Sequence, residues 1–304
     1  MTGNGRIPTR ADLPPAGSRV HLMGVGGAGM RGLAVLLSAS GYRVSGCDSA
    51  LPAAADDLME RSIGFELGHD PLHLEDVDLL VHSSAVPDDQ PELRAGRAAA
   101  LQTMKRARAL GALLNGFRLV GISGTHGKTT ITAMTARVCD AAGLDPTVVV
   151  GGRVPEWSAY ARPGGGDVAI AEADEYDRSL LQLDPSLAVI SSVEPEHLDS
   201  YGNLEALVDA YATFAGRAAA RDGVLVCADD AGAREIGGAV GAFASYGLAA
   251  EATYGVSVLE RRGRSQRCAL RSESIDFEFE LGAPGDHNAQ NAAAALAVGI
   301  MLGG

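Results

Sequence analysis

Leu119-Val120-Gly121-Ile122-Ser123-Gly124-Thr125-His126-Gly127-Lys128-Thr129-Thr130 is the stretch whose reading decides the fold. An apolar strand, Leu119–Ile122, runs into a glycine-rich loop and then into a helix expected over Thr129–Ala142. That order places backbone N–H groups and the positive end of a helix around a phosphate. The strict spacing of a phosphate loop fails, because Ile122 holds the first glycine position and is flanked by Gly121 and Gly124. Composition supplies the missing weight. Of 25 basic residues only Lys105 and Lys128 are lysines, so at Lys128 a compact ammonium stands where arginine is otherwise the habit. Gly124, Thr125, His126, Gly127, Lys128, Thr129 and Thr130 are therefore the expected ATP-binding loop. In it Lys128 reaches the β/γ-phosphates and Thr129 coordinates Mg2+.

The same strand–glycine–helix order occurs earlier. Strand Val20–Val25 leads into Gly24-Val25-Gly26-Gly27-Ala28-Gly29, then a helix over Met30–Ser40, then strand Tyr42–Gly46 with Asp48 beyond its end. This GxGxxG context cradles the diphosphate of a nucleotide, and a dinucleotide or a nucleotide-sugar would suit it equally. Asp78–His82 is a further strand, and an Arg- and Ala-rich stretch near Leu93–Leu114 reads as helical.

Beyond the second loop, strands are expected at Thr147–Val150, Val168–Ala171, Leu187–Ser192 and Gly223–Cys227. Apolar–polar alternation at Ala252–Val258, Arg267–Arg271 and Ile275–Leu281 suggests an antiparallel sheet edge, followed by an Ala-rich helix over Asn288–Leu302. The fold class is thus α/β: a Rossmann-like domain at 19–112, then a phosphate-loop domain at 113–304 with a mostly parallel sheet and an antiparallel edge. Residues 1–18 read as a loose polar tail.

A triphosphate with magnesium needs hard ligands opposite its loop. Glu172 to Asp177 and Glu194 to Asp199 each follow an apolar strand, and ligands of open α/β sheets gather at the carboxyl ends of strands. The net charge of −13 argues against general affinity for nucleic acid or anionic membrane, so bound phosphates must rely on local devices. Cys47, Cys139, Cys227 and Cys268 show no metal-ligand spacing and read as reduced thiols. No apolar run approaches the roughly 20 residues of a membrane span, and a cytoplasmic protein is expected.

These motifs together resemble the Mur ligase family, in its alanine-adding branch. The matching runs are His21 to Met30, Gly46-Cys47-Asp48, Ser83-Ser84-Ala85-Val86, Gly124 to Thr130, Glu172 to Asp177, Glu194 to Tyr201 and His287 to Ala292, in order over nearly the whole chain. The resemblance implies that Gly24, Gly26, Gly27, Ala28, Gly29, Met30, Asp48, Ser83 and Ser84 bind the UDP part of UDP-N-acetylmuramate. It implies that Lys128, Glu172 and His197 carry the catalytic role, with Thr129, Glu172 and His197 as metal ligands. His287, Asn288 and Asn291 would lie at the adenine. The implied activity is ATP-dependent joining of L-alanine to the lactyl carboxylate, a step of peptidoglycan precursor synthesis. No lysine follows Lys128, so the carbamylated lysine of several relatives has no counterpart, which suits the alanine-adding branch. The family also has a C-terminal domain of about 150 residues, expected to be absent here because Gly304 closely follows the adenine motif. A tripeptide-recycling ligase and a non-catalytic nucleotide-binding fragment are the alternatives. A nicotinamide-dependent dehydrogenase would explain the first loop and Asp48 but not Lys128 or the acidic segments.

Overall fold

The computed structural model describes residues 6–50, 58, 61–157, 159–196 and 198–303. The chain forms two compact units, Met1–Gly116 with Thr147–Gly164, and Phe117–Pro146 with Gly165–Gly304.

In the first unit, strands β1 (Arg19–Met23), β2 (Arg43–Asp48), β3 (Gly64–Leu67), β4 (Leu79–His82) and β5 (Gln102–Lys105) form a wholly parallel sheet in the order β3-β2-β1-β4-β5. The central pair is buried on both faces and mostly apolar: Val20, Leu22, Met23, Leu79, Leu80 and Val81 are fully buried, as is His21. A sheet covered by helices on both sides requires that pattern. The chain leaves β1 toward β2 on one side and β4 lies on the other. This is a topological switch point, which opens a crevice at the carboxyl ends of β1 and β4.

Two expectations for this unit fail locally. The helical stretch near Leu93–Leu114 is two helices, Pro91–Ala98 and Arg106–Leu114, separated by β5. Ala100 adopts φ 56° and Leu101 N–H donates to Gly96 O at 3.0 Å, which turns the chain out of the first helix. Pairing of β5 with β4 then overrides the helix propensity of the surrounding Arg and Ala residues. Strand β3 is only four residues long, Gly-Phe-Glu-Leu, and largely exposed, too short a run to mark a strand in the sequence. The segment expected as a loose tail is held where it is described: Asn115 donates to Pro8 O at 2.8 Å, and the Tyr42 hydroxyl to Pro14 O at 2.8 Å.

Strand β6 (Arg118–Ser123) opens the second unit, and the hairpin of β7 (Thr147–Val154) and β8 (Ala159–Arg162) belongs again to the first. There Tyr160 packs on the helix Ala28–Ala39, its hydroxyl accepting from Arg31 at 2.8 Å and its ring lying 4.2 Å below the guanidinium.

The second unit continues with β9 (Val168–Glu172), β10 (Leu187–Ile190), β11 (Gly223–Cys227), β12 (Ala244–Gly247), β13 (Tyr254–Arg262), β14 (Ser265–Arg271) and β15 (Asp276–Leu281). Its strands run β15-β14-β13-β12-β11-β10-β6-β9, parallel from β13 to β9 and antiparallel from β13 to β15, the expected edge. Two glycines let helices approach closely. A Cβ on Gly121 would lie 2.6 Å from the ring of Phe214, which anchors the buried stripe Leu207, Ala210, Tyr211, Phe214, Ala215 and Ala218 of the helix Leu204–Ala218. On the helix Asp286–Met301, a Cβ on Gly299 would lie 2.4 Å from Val138 of the helix Lys128–Ala141. The alanine-rich face of the former helix is what allows that distance.

Candidate nucleotide-binding sites

The phosphate loop leaves β6 at Ser123 and enters the helix Lys128–Ala141 at Gly127, which caps it in the left-handed region (φ 84°). Gly124 has φ 128°, and a Cβ there would lie 2.3 Å from Ser191 Oγ and 2.7 Å from Ser192 N. Only glycine brings the loop this close to the end of β10. The loop is tied to that strand by Thr125 N–H to Ser192 O at 2.9 Å, His126 N–H to Ser192 Oγ at 2.9 Å, and Ser191 Oγ to His126 O at 2.5 Å. Thr125 Oγ1 in turn accepts Glu194 N–H at 2.9 Å, so the second acidic segment begins against the loop.

Lys128 folds back over its own loop. Its ammonium donates to Gly124 O at 2.5 Å and to Glu175 Oε1 and Oε2 at 3.1 and 2.9 Å. Glu175 is buried, and its backbone carbonyl accepts the Tyr201 hydroxyl at 2.7 Å. Burial, followed by the Glu175 charge, pushes the Tyr201 phenol upward, so that hydroxyl stays a donor. Thr129 Oγ1 donates to Glu172 Oε2 at 2.9 Å, joining the hydroxyl and carboxylate expected to share a cation.

Asn291 lies beside the loop, its Oδ1 2.8 Å from where a Cβ on Gly127 would stand. Asn288 instead donates to Pro284 O at 2.7 Å in the turn that starts its helix, and His287 sits exposed against Gly285. His126 is exposed, with Nε2 3.6 Å from Glu194, and Thr130 lies in the first turn of the loop's helix. His197 lies outside the described residues. Glu175 was not singled out from the sequence as a site residue. It stood inside an acidic run with nothing to mark which carboxylate faces the lysine.

A fit to a nucleoside triphosphate with magnesium can be judged from these atoms. The left-handed glycines keep side chains out of the cradle, an ammonium faces it, and a hydroxyl–carboxylate pair flanks it. This donor set suits a hard cation bound next to phosphates.

In the first unit, Gly24 N–H and Val25 N–H donate to Cys47 O at 2.8 and 3.1 Å, and Gly26 N–H to Asp48 Oδ2 at 2.9 Å. Gly27 caps the helix Ala28–Ala39, with Ala28, Gly29 and Met30 in its first turn. Met30 is buried and offers the crevice only backbone. Ser83 closes the other side: its N–H donates to Met23 O at 3.1 Å, and its Oγ accepts Ala85 N–H at 3.2 Å. Ser84 follows, exposed. Sequence reading passed over Arg106. A Cβ on Gly29 would lie 3.0 Å from its Nη1, so its guanidinium brings a cation to the first turn of that helix.

Fold and sites define a two-unit α/β protein with one glycine-rich strand–loop–helix turn in each unit. Sequence comparison makes the class particular. The signature of the Mur ligase family catalytic domain matches residues 19–118, that of the Mur ligase middle domain matches residues 122–299, and the chain belongs to the Mur ligase family. A UDP-N-acetylmuramate–L-alanine ligase of Methylococcus capsulatus is 39% identical over 289 residues, covering 94% of this chain and 61% of the relative. One of Paenarthrobacter aurescens is 39% identical over 289 residues, covering 94% and 63%. The chain thus spans less than two thirds of the length of these curated relatives. Among solved structures, the UDP-N-acetylmuramate–alanine ligase of Thermotoga maritima matches with TM-score 0.81 and 27% identity, over 94% of this chain and 65% of the other. The UDP-N-acetylmuramate:L-alanyl-γ-D-glutamyl-meso-diaminopimelate ligase from Neisseria meningitides shares the fold, with TM-score 0.84, 23% identity and 95% of each chain covered. No described helix is long and apolar enough to cross a membrane.

Proposed function

We propose that the chain acts in ATP-dependent amide formation between UDP-N-acetylmuramate and L-alanine, in peptidoglycan precursor synthesis in the cytoplasm. The observation that carries this reading is the second loop, where Lys128 meets Gly124 O and Glu175 while Thr129 meets Glu172.

In this reading the first unit takes the UDP-sugar. The N–H groups of Ala28 and Gly29 and the positive end of their helix face the diphosphate, with Arg106 beside them. Asp48 already fixes Gly26 N–H, which pre-sets the loop's shape. The second unit takes ATP, with Asn291 and its neighbours His287 and Asn288 at the adenine. Thr129, Glu172 and His197 would hold magnesium, which supplies charge neutralisation at the phosphates when bound. Lys128 would exchange Glu175 for phosphate oxygens and stabilise the charge developing on the transferring group. The lactyl carboxylate oxygen would bond to the γ-phosphorus as the bond to ADP breaks. The L-alanine amine would then attack the acyl carbon, losing a proton as phosphate leaves.

Relatives at about 39% identity named for L-alanine favour that amino acid over a tripeptide. The test is phosphate release from ATP, with the amide followed by mass spectrometry. The reading predicts release that requires both UDP-N-acetylmuramate and L-alanine. Release that ignores L-alanine, or that prefers the L-alanyl-γ-D-glutamyl-meso-diaminopimelate tripeptide, overturns it.

A further inference from the structure

Beneath the first glycine loop lies a group of side chains that the ligase reading does not use. His21 on β1, Cys47 on β2 and Glu92 on the helix Pro91–Ala98 are all fully buried, and His73 reaches in from the short turn Pro71–Leu74. One donor atom from each lies within 4.8 Å of all the others. His21 Nε2 is 3.0 Å from Glu92 Oε1 and 3.3 Å from Cys47 Sγ. Cys47 Sγ is 3.3 Å from Glu92 Oε2, and His73 Nδ1 is 3.4 Å from Glu92 Oε1. Around a tetrahedral zinc ion, bonds of about 2.0–2.3 Å put ligand atoms about 3.3–3.7 Å apart. The His21–Cys47, His21–Glu92 and His73–Glu92 separations already lie near those edges, and the four donor atoms together lie within 4.8 Å.

Two further features point the same way. The nitrogen of each histidine that faces away from the group is held: His21 Nδ1 is 2.8 Å from Ser45 Oγ, and His73 Nε2 is 2.9 Å from Glu66 Oε2. Such outer partners orient imidazoles that bind metals. At the centre, Glu92 Oε1 is fully buried between the two imidazoles, which lie 3.0 and 3.4 Å from it.

We propose that His21, Cys47, His73 and Glu92 bind one divalent transition-metal ion of zinc's type, with His69, whose Nδ1 is 3.1 Å from Cys47 Sγ, beside it. The mixed N, S and O donor set is zinc's rather than magnesium's. The ion staples β1, β2 and the helix Pro91–Ala98 under the loop, because the carbonyl of Cys47 is the acceptor for Gly24 and Val25 N–H. The site is independent of the ligase reading and would stand if no UDP-sugar bound.

The test uses the full untagged chain, stripped with chelator and titrated with Zn2+ and with Co2+. The expected result is one Zn2+ retained per chain. With Co2+, a thiolate-to-cobalt charge-transfer band should appear and be lost in Cys47→Ser. Oxygen- and nitrogen-donor positions in the second unit give no such band. Should Cys47→Ser fail to fold, His73→Gln decides, with Zn2+ binding expected to weaken by at least about 10–100-fold. Failure of the wild type to retain Zn2+, a band unchanged in Cys47→Ser, or wild-type affinity in His73→Gln overturns the proposal.

Discussion

Glu175→Gln isolates what the partner of the loop lysine contributes. In the resting chain the Lys128 ammonium rests on both oxygens of a buried carboxylate, at 3.1 and 2.9 Å, with the two side chains 13% and 3% exposed. Stripping a buried ion pair of one partner costs about 3–5 kcal/mol. Glutamine keeps the shape and one carbonyl acceptor, so the loss should be nearer the worth of a charge-assisted hydrogen bond, about 2 kcal/mol. In a unit of this size each kcal/mol moves the midpoint by roughly 2–4 °C, which predicts a drop of about 4–8 °C. Two units imply more than one transition, so calorimetry should follow the one that responds to Mg-ATP. Saturating Mg-ATP should then narrow the gap between variant and wild type, because phosphate oxygens replace the lost carboxylate. An unchanged midpoint without nucleotide, or a gap that Mg-ATP leaves untouched, would refute the placement of Lys128 between carboxylate and phosphate.

Other positions give independent checks. Gly124→Ala places a Cβ against Ser191 and the Ser192 backbone at φ 128°, and should cost at least about 1–3 kcal/mol in thermal unfolding and remove Mg-ATP binding. Arg106→Ala should weaken UDP-N-acetylmuramate by about 10–100-fold, the worth of a charge-assisted contact, and leave Mg-ATP affinity alone in calorimetry. Burial lowers the His82 pKa, so the folded chain binds fewer protons than the unfolded one. Stability should therefore be full above the unfolded value of about 6.5 and fall as pH drops through the folded value, with urea midpoints sloping less in His82→Gln.

The two strand–loop–helix units were legible because glycine, lysine and apolar runs follow one another along the chain. Their surroundings were not. Strand β5 is made by pairing with β4 and carries helix-forming residues nearby, and β3 is a largely exposed run of only four residues. Gly121 looked like a displaced member of the phosphate motif, yet its close neighbour is Phe214, 93 positions away in the chain and brought near only by helix-on-sheet packing. Glu175 and Arg106 reach their sites through tertiary folding, and the chemistry of one carboxylate among several is invisible in a run of acids. Cys47 shows the same limit. Read by spacing it is an isolated thiol, and only the folded sheet gathers His21, His73 and Glu92 around it.

Paired calorimetric titrations of the wild type and Lys128→Ala with Mg-ATP, UDP-N-acetylmuramate and NAD test the central claim most directly. The account predicts that the wild type binds Mg-ATP and the UDP-sugar but not NAD, and that Lys128→Ala loses Mg-ATP while keeping the UDP-sugar. Binding of NAD without the UDP-sugar, or undiminished Mg-ATP binding by Lys128→Ala, would contradict it.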